Sequence, residues 1–164
     1  MAFDAYLKLD TITGESTSQG FTGCMEIFNF SLGAANPVTL GSGTSGAAGG
    51  KAILQPFSFT KKTDSASPNL YQACVTGAHL ATGTVTLRKA GGSAALPYLT
   101  YGFKVIFIES VSWSGSTGGD DSPTEHVSAA FGTLTVDYQK QDNTGAPLGG
   151  AVHGGWNIQT NQPA

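Results

Sequence analysis

The segment from Gln55 to Gly92 constrains the fold most, because it reads as a strand, one short helix and then a strand again. We expect the helix over residues 67–79, with Ser67 as its cap, Pro68 in its first turn and Gly77 near its end. No other part of the sequence has a convincing helical pattern. The chain is therefore predicted to be all-β, mainly antiparallel, with one short α-helix.

Alternation of apolar and polar residues predicts the strands. Residues 25–32 are apolar on both sides, which is typical of a strand buried twice, in a sandwich or against a partner chain. Pro56 cannot donate to a ladder and indicates an edge or a bulge. The predicted strands cover residues 3–9, 25–32, 53–61, 82–88, 96–108 continuing over 110–114, 127–140 and 153–158.

The composition favours a β-rich chain that associates with itself. Charged residues make up 12% of the sequence, about half the usual share, and there are 23 glycines. Little charge leaves little polar cover for a monomer. The net charge of −3 argues against a nucleic-acid binder, and the paired Lys61 and Lys62 read as a solvated strand end. The 164 residues suit one domain, 1–164.

Two cysteines, Cys24 and Cys74, form no metal pattern and indicate folding in a reducing cytoplasm. The N-terminus lacks an apolar core of signal-peptide length, and no window approaches a membrane span. We therefore expect a cytoplasmic protein that, if it leaves the cell, does so without a cleaved signal.

Motifs for catalysis or metal binding are weak. The G-x-G-x-x-G match at residues 41–46 is not followed by a helix, so a flexible loop is the better interpretation. His79, His126 and His153 are far apart, and no serine lies on a G-x-S-x-G elbow. No catalytic residue, metal or cofactor is predicted.

Several segments together resemble one family. They are MAFDAYLKLD, FSFTKKTD, ASPNLYQACVTG, TVTLRKAGG, YLTYGFKVIFIESVS, GDDSPTEHVS, TVDYQKQDNTG and GWNIQTN. In this order they resemble the Hcp family, the tube proteins of bacterial type VI secretion systems. The resemblance implies a β-barrel-like domain of two sheets with one helix. It also implies non-enzymatic six-membered rings that stack into a hollow tube, with the sheath, the tip spike and effector proteins as partners, and export from the bacterial cell.

Three sets of residues are assigned to that assembly as hypotheses. The Gly-rich loop at 36–50 is assigned to contact between rings, and a serine face to the lumen. The ring-stacking residues are Leu40, Gly41, Ser42, Gly43, Thr44, Ser45 and Gly46; the subunit-interface residues are Ile27, Phe28, Phe30, Asp120, Asp121 and Glu125; the lumen-facing residues are Ser31, Ser112, Ser114 and Ser116.

Two alternatives stay open at this point. A monomeric β-sandwich that binds a ligand such as a glycan would show the same strand pattern. A secreted hydrolase or toxin would need a clustered site. A six-membered ring, seen by native mass or electron microscopy, separates the tube subunit from the monomeric module, and metal analysis with an activity screen tests the hydrolase or toxin.

Overall fold

The chain is predominantly antiparallel β. A computed structural model describes residues 3–39, 48–89, 96–119 and 121–164. All its strand pairs are antiparallel, which confirms the predicted fold class. The elements are β1 (Phe3–Leu9), β2 (Met25–Ile27), β3 (Asn29–Ala35), β4 (Val38–Thr39), β5 (Ala48–Gly49), β6 (Ile53–Lys62), α1 (Ser67–Thr76), β7 (His79–Lys89), β8 (Pro97–Ser114), β9 (Thr124–Tyr138), β10 (Val152–Asn157) and β11 (Gln162–Pro163).

The strand pairing forms an open path whose two end strands, β2 and β3, are consecutive in the chain. β1 pairs with β2 and β7, β7 with β8, β8 with β9, β9 with β6, and β6 with β3. β3 follows β2 in the chain with Phe28 between them, so the two end strands of the path are joined covalently. Of the two expected sheets, the described residues form one large sheet that curls on itself and a small β4–β5 ribbon.

Strand β9 changes partner halfway along its length. Residues 124–129 pair with β6, whereas residues 133–138 pair with β10. At the same level of β8, Val105 has a φ of 56°, which β-branched residues rarely adopt. The inward face shifts by one residue there, since Phe103, Ile106 and Ile108 are all buried. The sheet therefore bends along this line, and β10 and β11 form a wing beyond the bend.

Aromatic side chains fill the core at the bend. The ring centroid of Phe57 lies 5.2 Å from that of Phe59 and 4.9 Å from that of Phe103, which in turn lies 5.0 Å from Phe131. All four are at most 6% exposed. Each buried side chain of this size contributes roughly 1.5–3 kcal/mol to folding. The core thus ties β6, β8 and β9 together.

The helix is shorter than predicted and begins differently. It ends at Thr76, where Gly77 takes a left-handed φ of 66° as expected. Ala66 is the N-cap and no side chain caps the helix, so the cap assigned to Ser67 is wrong. The Ser67 hydroxyl instead donates to Glu125 Oε2. Leu70 and Ala73 lie on the buried face of the helix. No helix in the described ranges is long and apolar enough to cross a membrane.

The predicted strand at 25–32 is two strands that break at Phe28. Met25 and Ile27 are at most 5% exposed, but Phe28 is 60% exposed. Further along β3, Ser31 pairs with Ser58 and Gly33 with Gln55, so the register shifts opposite Pro56. This confirms the bulge predicted from Pro56, which lies one residue before the β6–β9 ladder begins at Phe57.

Candidate assembly surface

Four adjacent strands present one polar face. β3, β6, β9 and β8 lie side by side, and their outward side chains align in cross-strand rows. These side chains are small, so the face holds an open groove of about 380 Å³. One row is Ser31, Ser58, Ser128 and Ser110, and the next is Asn29, Thr60, His126 and Ser112.

In the two rows that line the groove, the chemistry is hydrogen bonding without fixed charge, whereas the next row carries Lys62 opposite Thr124. Hydroxyl, amide and imidazole groups both donate and accept hydrogen bonds. One carboxylate lies at the rim, where Glu109 Oε2 accepts a bond of 3.2 Å from the Ser128 hydroxyl. A groove of this kind stays hydrated and offers neither an ionic anchor nor a broad apolar contact.

The structure brings some of the predicted lumen residues together. Ser31 and Ser112 lie in the groove, and Ser114 pairs with Thr124 one row further on. Ser116 lies in the turn after β8, beside a separate open cavity of about 580 Å³ that Ser114 and Asp121 also line. Sequence reasoning missed Ser58, Thr60 and Ser128, whose place beside the serines of β3 and β8 depends on the order of the strands.

This four-strand layer, β3–β6–β9–β8, has an open edge at each end. Within the described ranges, β3 pairs with β6 alone. The β7–β8 ladder ends where His79 meets Phe107, so β8 beyond Phe107 has β9 as its one strand partner among these residues. Unpaired strand edges carry rows of free backbone N–H and C=O groups and pair readily with another strand.

A buried ion pair lies behind the polar face. Lys61 Nζ is 2.7 Å from Glu125 Oε2 and 2.6 Å from Asp64 Oδ1, and the side chains of Lys61 and Glu125 are both fully buried. Lys61 also donates to the Ser67 hydroxyl at 3.0 Å. The pair therefore fixes the start of α1 against β6 and β9. Lys61 is not the solvated residue that its sequence context indicated.

The predicted interface residues divide into three groups. The assignment of Ile27 and Glu125 to a subunit interface is corrected, because these residues are 5% and 0% exposed and offer no surface to a neighbour. Phe30 is partly buried and packs on the core, whereas Phe28 and Asp121 are exposed. Asp120 and the stacking residues Leu40 to Gly46 lie outside the described residues.

Cys24 and His153 are among the titratable groups elsewhere in the fold whose pKa values are shifted. Burial raises the pKa of the Cys24 thiol, and nearby Lys8 partly opposes this. The pKa of His153 is raised because the Ala164 carbonyl and the Asp137 carboxylate accept hydrogen bonds from its ring, at 2.9 Å and 2.7 Å. Across the described residues, no group of three or more His, Cys, Asp or Glu side chains could hold a metal ion.

Comparison with known proteins identifies the family. Residues 6–138 match the family model described as "Type VI secretion system effector, Hcp". The chain is 39% identical to the protein hcp1 of Pseudomonas aeruginosa over 164 residues, the full length of both. A solved "type six secretion system protein" superimposes with a TM-score of 0.92 at 35% identity, covering 99% of this chain and 100% of that one. Hcp1 from Salmonella typhimurium superimposes with a TM-score of 0.83 at 29% identity, over 100% of both chains. The chain belongs to the Hcp family of type VI secretion proteins.

Proposed function

We propose that this chain is a structural subunit of a type VI secretion tube, in which six copies close into a ring with the polar face turned inward. One observation carries the proposal: the four-strand layer combines a polar groove lined by small uncharged side chains with an open strand edge at each end. The role is structural rather than catalytic.

Ring closure follows from the two open edges. The β8 edge of one copy can pair with the β3 edge of the next, so that one patch meets a different patch. Repeating this contact by rotation leaves every edge of the layer paired once the ring is complete. The polar face then continues from copy to copy as the wall of a single channel.

The exposed area supports two contacts per subunit. A compact monomer of 16.8 kDa exposes about 7,700 Å². This chain exposes 9568 Å², an excess of about 1,900 Å². A standard interface covers about 800 Å² on each partner, so the excess is similar to the area that two such contacts cover.

The remaining assignments extend this proposal. Ser31, Ser112, Ser114 and Ser116 would line the channel, whose hydrated wall would let folded effectors bind and leave. The loop at 40–46 would contact the next ring, and Asp120 and Asp121 would lie near a subunit contact. The tube would meet a contractile sheath and a tip spike. It would form in the bacterial cytoplasm and leave the cell without cleavage of a signal peptide.

Native mass spectrometry of the purified chain, with negative-stain electron microscopy of the same sample, tests the proposal. We expect a six-subunit mass and hollow particles at micromolar concentration. A monomer at that concentration, with no hollow particles, would refute the ring and leave the monomeric ligand-binding module as the better function.

A further inference from the structure

Two exposed aromatic surfaces lie at opposite ends of the four-strand layer, away from its polar face. At the β8 end, the rings of Trp113 and Tyr71 lie 5.9 Å apart and are 45% and 49% exposed. At the β3 end, Phe3 and Phe28 are 48% and 60% exposed. Aromatic side chains of this size contribute most to protein interfaces when they are fully buried there.

The surface at the β3 end is a groove. It has a volume of about 210 Å³, and Phe3 and Phe28 border it together with the acidic side chains of Asp4 and Glu26. Asp4 Oδ2 accepts a bond from Arg88 Nε, and Glu26 Oε1 accepts one from the Ser16 hydroxyl. An ionised carboxylate has about four acceptor positions, so each retains capacity for another donor. The groove therefore fits an aromatic side chain that carries an N–H or O–H donor.

The surface at the β8 end has this chemistry. Trp113 offers an indole N–H and Tyr71 a phenolic O–H, both next to an exposed ring. The two ends also lie on one cross-strand row, since Trp113 pairs with Glu125 and Glu125 with Lys61. Phe28 lies at the far end of that row, because its neighbour Asn29 pairs with Thr60.

We propose that Trp113 of one copy, backed by Tyr71, inserts between Phe3 and Phe28 of the next copy and donates its indole N–H to a groove carboxylate. The occupant of the groove is thus a second copy of this chain. The inference rests on the proposed ring and names the contact that holds it. Apolar area buried there adds to the backbone pairing of the strand edges, while the acidic rim selects an aromatic donor over a plain apolar side chain.

Cross-linking within the assembled ring tests the contact while Trp113 and Phe28 remain in place. A variant with Tyr71→Cys and Phe3→Cys is treated with a short bismaleimide and resolved on a denaturing gel. We expect a ladder of linked species up to six copies. The matched control combines Tyr71→Cys with Val152→Cys, because Val152 is 68% exposed on β10, away from both surfaces. The parent chain measures the background from Cys24 and Cys74.

Dilution of the rings gives a second readout. Trp113→Ala should raise the concentration at which half of the rings dissociate by about tenfold or more, as expected for a central aromatic contact. Trp113→Phe should have a smaller effect, because it keeps the ring and loses the donor. Phe28→Ser should weaken the ring from the other side; its side chain is mostly exposed, so the subunit should keep its melting temperature.

The outcomes separate this inference from the ring itself. Rings of native stability in Trp113→Ala and Phe28→Ser, with no ladder beyond the control pair, would overturn the contact and leave the ring intact. A parent chain that stays monomeric at micromolar concentration would overturn both.

Discussion

Neighbouring rows of the same four strands have opposite polar chemistry. The row that contains Ser112 and His126 faces away from the subunit core, and it is uncharged and open. One residue along, the row of Glu125 and Lys61 faces inward, charged and fully buried. Because side chains alternate across a strand, one residue of register separates a surface for contacts with other molecules from an electrostatic anchor. Polar character alone therefore does not assign a residue to assembly or to stability.

Removing a charge from the buried row should reduce stability more than any other change proposed here. Glu125→Ala removes the fully buried carboxylate of the pair and leaves Asp64 as the remaining carboxylate contact of Lys61, so the free energy of unfolding should fall by about 3 kcal/mol. Urea unfolding followed by circular dichroism measures it. Glu109→Ala is the matched control, since this exposed carboxylate at the rim of the polar face should change stability by about 0.5 kcal/mol or less. Equal losses in the two variants would contradict the distinction between the rows.

A double replacement sharpens the same point. Lys61→Met with Glu125→Leu removes both charges and keeps similar volume, so most of the loss in Glu125→Ala should be recovered. Asp64 also contacts Lys61 and is 15% exposed, so it can return to water when the lysine is removed. The same urea titration applies. A double variant as unstable as the single one would mean that the pair specifies the helix position rather than compensating for burial.

Substitution on the polar row should affect function without affecting the fold. Ser31→Phe places a bulky apolar ring on the polar face, and the unfolding free energy should change by about 0.5 kcal/mol or less. If this face lines the channel, effector retention should fall while the ring mass stays the same. Co-purification of an effector and native mass spectrometry measure the two quantities. Loss of the ring would instead assign Ser31 to a subunit contact.

The exposed pair of His153 and Asp137 should contribute least to stability. The folded-state pKa of His153 is raised above its ordinary value of 6.5, chiefly by the Ala164 carbonyl and then by Asp137. The contribution of these His153 hydrogen bonds to stability is therefore fully present below pH 6.5, and it is lost as the pH rises through the raised pKa. Melting temperatures of the native chain and of His153→Gln should differ slightly at pH 5.5 and converge at pH 9. A difference that grows with pH would reverse the assignment.

The local sequence pattern predicts where the strands lie better than it predicts which strands pair with each other. Alternation predicts the strand at 82–88, in which Val85 and Leu87 are buried, and Gly77 marks the helix end, because both depend on short-range geometry. The fate of Lys61 could not be predicted this way, since its burial depends on Glu125, which pairs with it across β6 and β9.

The candidate site shows the same limit. The serines of β8 were recognised as one face, but Ser58 and Ser128 join them only through strand order. The break at Phe28 was also missed, because apolar residues on both sides of a segment predict burial equally for each. Which apolar residue stays exposed depends on where β2 leaves β1 and where β3 joins β6.

The partner change along β9 has a mechanical consequence. The 15 residues of this strand run without interruption from the polar layer into the wing of β10 and β11. A load applied to the wing thus reaches the layer through covalent backbone bonds, whereas two separate strands would transmit it through hydrogen bonds that can shear. Under such a load, the polar layer and the wing would move as one body.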